Sequence, residues 1–184
     1  MRKIFRKISS FYWKFIASPE EYARHIGVKI GKGCFISTKK FTSEPYLIEI
    51  GDNVRIASGT SFYTHGGIWS LRKLYNDENL DHFGKIKIGN YSYIGEKCMI
   101  MSGVTIGERC IIGGGSVVTK SIPDGCMVAG NPAKFIGYTE DFYKKLKRNH
   151  DTKTGKLIAI EKKKFLLSIN EDMFEVKPYI KTER

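Results

Sequence analysis

Between Ile88 and Pro123 an aliphatic residue stands at every sixth position, in the units IGNYSY, IGEKCM, IMSGVT, IGERCI, IGGGSV and VTKSIP. Each unit opens on Ile or Val (Ile88, Ile94, Ile100, Ile106, Ile112, Val118). Its fifth place holds a small or β-branched residue: Ser92, Cys98, Val104, Cys110, Ser116 and Ile122. Upstream, IGKGCF from Ile30, IGDNVR from Ile50 and IASGTS from Ile56 keep the rule, so the repeat covers most of residues 28–129. A six-residue period fits neither a helix of about 3.6 residues per turn nor a lone strand of period two. It fits a short strand and a corner, and three such units close a triangular coil. Residues eighteen apart then stack, Ile94 over Ile112, Ile88 over Ile106 and Ile100 over Val118, which predicts an all-β solenoid with aliphatic ladders as its core. Cys34, Cys98 and Cys110 fall at the inward fifth place, where a small apolar side chain packs, and this favours core packing over metal or redox chemistry.

The period breaks over FYTHGGIWSLRKLYNDENLDHFG, Phe62 to Gly84, an insertion spanning 64–85. It holds His65 beside Gly66 and Gly67, and His82 further on. Trp69, Leu71, Leu74, Tyr75 and Phe83 are more apolar bulk than a solvated linker carries, so a packed flap is expected. Residues 1–16 put Ile4, Phe5, Ile8, Phe11, Tyr12 and Phe15 on one face at helical spacing, with five cations and no acid. Such a helix packs on the solenoid or lies on an anionic membrane surface. Ser18-Pro19-Glu20-Glu21 reads as a capping box opening a second helix, and Thr139-Glu140-Asp141 opens another through Leu146 and Lys147. The lysine-rich tail beyond it contains the apolar patch FLLSI and is expected to cap the solenoid's open end. The expected division is an N-terminal basic segment (1–27), the solenoid (28–137) and a C-terminal helical extension (138–184).

Composition narrows the partners. The 184 residues are 41% apolar, enough for a sizeable core, and carry a net charge of +12. No apolar run approaches the roughly 18 residues that cross a bilayer, and no signal peptide or CxxC pair is present, which points to the cytoplasm, with the membrane's inner face as a further place. No nucleic-acid motif accompanies the charge; a phosphorylated small molecule or an anionic membrane suits it.

The hexapeptide units, the stretch GGGSVVTKSIPDGCMVAGNPAKFIG from Gly113 to Gly137 and the THGG loop together resemble the hexapeptide-repeat acyltransferases of the maltose, galactoside and polysaccharide O-acetyltransferase type. The resemblance covers roughly residues 25–138. It implies left-handed parallel β-helix coils, a homotrimer and acetyl-CoA as acyl donor. It also implies acetyl transfer to a hydroxyl of a sugar or glycan, as in surface polysaccharide assembly. Such transfer needs a base for the hydroxyl proton and donors for the oxyanion, but no metal. By position alone His65 is as well read as a turn cap; the resemblance makes it the catalytic base. Relatives often carry an acid directly after this histidine, whereas Gly66 follows here, and Asp52, Glu78, Asp81 or a backbone carbonyl remain as groups to orient the ring. Positions matching the family's coenzyme contacts are Tyr93, Gly114, Thr119, Lys120, Asn131, Pro132, Ala133 and Lys134, with Lys120 and Lys134 meeting phosphate. Trp69, Tyr75, Asp81 and His82 are the acceptor candidates; packing competes for Trp69 and Tyr75, and solvation for His82. Other readings are N-acyl transfer to an amino-sugar nucleotide or small molecule, a non-enzymatic solenoid that binds sugars, and a carbonic anhydrase on three histidines. The wide separation of His25, His65, His82 and His150 opposes the last.

Overall fold

The computed structural model describes residues 11–149 and 153–179, with the side chains of Lys14, Asn149 and Asp172 left aside. Most of the basic segment expected over 1–16 lies outside the described residues, as does His150. Tyr12–Ile16 form a short π-helical turn. Here Trp13 stacks on His25, ring centroids 3.8 Å apart, and its carbonyl accepts from Lys39 Nζ at 3.1 Å. Helix α1 (Pro19–His25) starts at the expected capping box: Ser18 Oγ accepts from Glu21 N at 3.2 Å, and Glu21 Oε2 accepts from Ser18 N at 2.8 Å. Its Ala23 is fully buried, and Arg24 reaches the carbonyls of Ile30 and Gly31 at 2.5 and 2.7 Å.

The coils follow. The first has β1 (Lys29–Ile30) and β2 (Phe35–Ile36), and its third side is marked by a bridge from Lys40 to Ser61. The second has β3 (Ile48–Ile50), β4 (Arg55–Ile56) and β5 (Ser61–Phe62). Helix α2 (Ile68–Tyr75) interrupts. The third coil is β6 (Ile86–Ile88), β7 (Tyr93–Ile94) and β8 (Met99–Ile100); the fourth is β9 (Thr105–Ile106), β10 (Ile111–Ile112) and β11 (Val117–Val118). Strand β12 (Cys126–Ala129) begins a further turn, and β13 (Lys134–Tyr138) folds back antiparallel along it, pairing the edge that β12 would leave open. Three sheets result: β1-β3-β6-β9, β13-β12-β10-β7-β4-β2 and β11-β8-β5. All pairings except β12 with β13 are parallel.

The expected ladders are present. Ile94 pairs with Ile112, Ile88 with Ile106 and Ile100 with Val118, all buried. Phe62 replaces the aliphatic residue on the third side of the second coil and stacks flat on Phe41, centroids 5.2 Å apart.

Two corner devices account for the rest of the hexapeptide. At the first corner an Asp or Asn side chain caps a backbone N–H of the coil before it. Asp52 Oδ1 accepts from Lys32 N (2.7 Å), Asn90 Oδ1 from Asp52 N (2.7 Å) and Asp124 Oδ1 from Glu108 N (2.9 Å). These oxygens lie where a Cβ would stand on Gly31, Gly51 or Gly107, which is why glycine follows the isoleucine. At the fifth place the small residue faces a corner carbonyl of the following coil. Cys34 Sγ donates to Gly51 O (3.1 Å), Ser92 Oγ to Gly107 O (2.8 Å), Cys98 Sγ to Gly113 O (3.2 Å) and Cys110 Sγ to Pro123 O (3.1 Å). A buried carbonyl without a donor is costly, so Ser and Cys are interchangeable here. Burial pushes the Cys98 and Cys110 thiols up, holding them protonated as weak donors.

The chain divides into two compact units, Met1–Thr139 and Glu140–Arg184. In the second, α3 (Thr139–Asn149) carries Glu140 and Asp141 in its first turn and Lys147 and Arg148 in its last, matching the helix dipole. Helix α4 (Ala159–Leu166) follows, and Lys145 pairs with Glu175 at 3.5 Å. Among the described residues no helix is long and apolar enough to cross a membrane.

Ile94 is fully buried between Ile56 and Ile112 in the ladder of the second sheet. Ile94→Ala is expected to lower the unfolding free energy by about 2–5 kcal/mol, read as a lower midpoint in chemical denaturation.

Candidate active site

Three residues beyond β5 the regular coil stops at His65. Because β5, β8 and β11 pair in register, Phe62 with Ile100 and Ile100 with Val118, the residues that follow each strand leave at one corner of the triangle. Tyr63 to His65 and Thr119 to Ser121 therefore share that corner. Two strand spacings of about 4.8 Å separate their levels, roughly 10 Å along the solenoid.

The ring of His65 is held by Glu44, with Nδ1 2.6 Å from Oε2. The same oxygen accepts from Thr64 Oγ1 at 2.9 Å, and Thr64 Oγ1 lies 2.7 Å from Thr42 Oγ1. Burial pushes the Glu44 carboxyl up, but donors from Thr64, Ser43 and His65 and the charge of His65 outweigh it and leave its pKa below the usual range. An ionised Glu44 accepts only, so a neutral imidazole places its proton on Nδ1 and leaves the lone pair on Nε2. The three carboxylates offered by the sequence are engaged elsewhere. Asp52 caps Lys32 N, Glu78 pairs with Lys73 at 2.6 Å and Asp81 pairs with Arg72 at 2.8 Å.

Glu44 escaped the sequence because the coil carrying it is longer than eighteen residues. Phe62 N bonds Lys40 O, and Thr42 bonds Thr64, each across 22 positions. Aligning Thr42-Ser43-Glu44 with Thr64-His65-Gly66 would have set Glu44 beside the histidine.

The insertion turns back on itself at the histidine. His65 bridges Phe83 antiparallel, with rings edge to face at 5.8 Å, and Gly84 N bonds Thr64 O at 2.8 Å. Between these ends lies α2, absent from the sequence reading. Gly67 at φ 77° opens it and Asn76 at φ 51° closes it, both left-handed, with helix-favouring Leu, Arg and Lys between. Arg72 ties it to the returning segment, Nε donating to Leu80 O and Nη2 to Asp81 Oδ2. Together Glu44, His65, Gly66, Gly67, Ile68, Trp69, Arg72, Asp81 and Phe83 line a cleft of about 380 Å³. Of the acceptor candidates, Trp69 and Asp81 are in this lining, while Tyr75 and His82 are exposed outside it. The flap is not packed by this chain alone: Trp69, Leu74 and Tyr75 are each 71% exposed.

The coenzyme candidates gather around β11. Gly114 precedes it and Thr119 and Lys120 follow it. The turn at Asn131 and Pro132 is pinned to the same strand, Val117 N bonding Gly130 O at 3.0 Å and Ala133 N bonding Val117 O at 2.9 Å, with Lys134 opening β13 beyond. Tyr93 stands apart, in the outer ladder of the second sheet between Arg55 and Ile111. No group of three His, Cys, Asp or Glu residues able to hold a metal occurs among the described residues.

Residues 85–120 match the bacterial transferase hexapeptide (six repeats) family signature. The chain is 44% identical over 153 residues to Protein CapG of Staphylococcus aureus, covering 81% of this chain and 87% of that protein. It is 32% identical over 143 residues to galactoside O-acetyltransferase of Escherichia coli (strain K12), covering 77% of this chain and 68% of the other. A crystal structure of a maltose O-acetyltransferase from Clostridium difficile 630 superposes with a TM-score of 0.49 at 27% identity, over 65% of this chain and 73% of that one. With parallel coils of this repeat and relatives matched over most of their length, the chain belongs to the hexapeptide-repeat acyltransferase family, folded as a left-handed parallel β-helix.

Proposed function

We propose that this protein transfers an acetyl group from acetyl-CoA to a hydroxyl of a sugar or glycan acceptor, in the assembly of a surface polysaccharide. The observation that carries the reading is the His65–Glu44 pair, 2.6 Å between Nδ1 and Oε2, at the mouth of a cleft about 380 Å³ in volume. The galactoside O-acetyltransferase relative supports a sugar hydroxyl as acceptor.

In this mechanism the sugar lies in the cleft against Trp69 and its hydroxyl meets His65 Nε2. Nε2 takes the hydroxyl proton as the oxygen attacks the thioester carbonyl, forming the new C–O bond. A backbone amide holds the oxyanion of the tetrahedral intermediate. Collapse breaks the C–S bond, and the imidazolium returns the proton to the leaving sulfur, giving the ester and coenzyme A. Glu44 steadies the imidazolium between these steps. The donor runs along the shared corner towards β11. Lys120 and Lys134 meet its phosphates and Asn131 to Ala133 border its adenine end.

The exposed Trp69, Leu74 and Tyr75 of α2 supply an apolar surface that fits a subunit contact, which supports the homotrimer that the family resemblance implies.

Three outcomes test this. With acetyl-CoA and methyl β-galactoside, followed by thiol release, His65→Ala is expected to lose about 10²–10⁴-fold in kcat. Glu44→Gln should lose less, chiefly in kcat; wild-type turnover by His65→Ala would overturn the base. Replacing Lys120 and Lys134 by Ala should weaken coenzyme A binding in calorimetry and flatten its salt dependence, while unchanged affinity would remove both from the phosphate site. In sedimentation equilibrium the protein should run at three times the chain mass and Leu74→Glu at one; a monomeric wild type would refute the trimer.

A further inference from the structure

His65 is oriented by Glu44, but a carboxylate on a single-bonded stem does not hold its own direction. What holds Glu44 is a short series of hydroxyls packed inside the corner. Thr64 is fully buried, and its Oγ1 lies 2.9 Å from Glu44 Oε2 and 2.7 Å from Thr42 Oγ1. Thr64 N also bonds Thr42 Oγ1, at 3.3 Å. Each hydroxyl has one hydrogen to give. The carboxylate accepts only, so the Thr64 hydrogen goes to Glu44, and the contact between the threonines is then made by the Thr42 hydrogen. The proton order runs one way: Thr42 to Thr64, Thr64 to Glu44, with His65 Nδ1–H meeting the same Glu44 oxygen. Every donor in the series is committed.

We infer that Thr64 is a positioning residue for acyl transfer, its buried hydroxyl fixing Glu44 Oε2 so that His65 keeps its proton on Nδ1 and presents Nε2 to the acceptor. This rests on His65 being the base. The consequence follows from geometry. Without the Thr64 hydrogen, Oε2 loses the buried donor that sets its direction, and Ser43 and the imidazole alone hold the carboxylate. The fraction of His65 in the productive tautomer and orientation then falls. Thr64 is fully buried and outside the cleft lining, so its replacement is expected to leave substrate binding unaffected. Among the described residues, the neutral hydroxyls of Ser43 and Thr64 approach the pair from the coil, and the charged groups lining the cleft beside it are Arg72 of α2 and Asp81 of the returning segment, which are paired with each other.

Thr64→Val keeps the shape and removes the hydroxyl; Thr64→Ser restores it. In the acetyl-CoA and methyl β-galactoside assay, Thr64→Val should lower kcat by about 10-fold, the lower end for losing an outer hydrogen-bond partner, with both KM values unchanged. Its acid limb should move to higher pH, because the Glu44 carboxyl, deprived of the Thr64 donor that helps hold it below its usual range, is protonated and lost to His65 at a higher pH. Thr64→Ser should recover most of kcat and the wild-type limb. Imidazole ¹⁵N shifts of His65 read the same claim without turnover: protonated Nδ1 in wild type and Thr64→Ser, mixed tautomers in Thr64→Val. If Thr64→Val does not fold by circular dichroism, Thr42→Val replaces it, with a smaller loss in the same sense. Wild-type kcat, acid limb and ¹⁵N shifts in Thr64→Val, while His65→Ala is inactive, would overturn the assignment of Thr64 alone. Full activity in His65→Ala would instead overturn the base on which it rests.

Discussion

Everything in this molecule hangs on coils stacking in register. Most of its strands are two residues long, too short to hold a direction alone, and each is fixed only by the strands above and below it. The ladder of Ile36, Ile56, Ile94, Ile112 and Val128 shows how. A slip of one residue would turn every one of these side chains outward, so register is strongly enforced by burial. The corners are therefore as well determined as the core. Asp52, Asn90 and Asp124 cap the backbone there, and Cys34, Ser92, Cys98 and Cys110 satisfy carbonyls that the close-packed interior would otherwise leave bare.

That rigidity is what a proton-transfer site needs. His65 leaves the coil at the same corner as Thr119 and Lys120, so the proposed base and the coenzyme candidates are placed by one set of parallel hydrogen bonds rather than by flexible segments. Behind the histidine the corner is closed and polar, with Thr42, Thr64 and Glu44 sharing hydrogens. In front of it the insertion provides a cleft walled by α2 and pinned by Arg72 and Asp81. An oriented imidazole at the boundary between a packed interior and an open cleft can take a proton without first reorganising its surroundings.

The six-residue period, the inward isoleucines, the capping box at Ser18 and the helix from Thr139 were all legible in the chain, because each depends on residues close in sequence or on a strict repeat. His65 stood out as the point where the repeat fails beside two glycines, but its reading as a base came from the family resemblance. Helix α2 was not. Its apolar residues Trp69, Leu74 and Tyr75 face outward, so they carry no burial pattern by which a helix is read, and the helix is defined by left-handed Gly67 and Asn76 at its ends.

By itself, then, the chain determined a solenoid and its register from Ile88 onward, since a strict period constrains every coil alike. Tertiary structure alone decided which carboxylate holds His65. Glu44 comes from a coil widened to 22 positions, where counting by eighteen points to the wrong neighbour, and only the folded corner brings it within 2.6 Å of the ring.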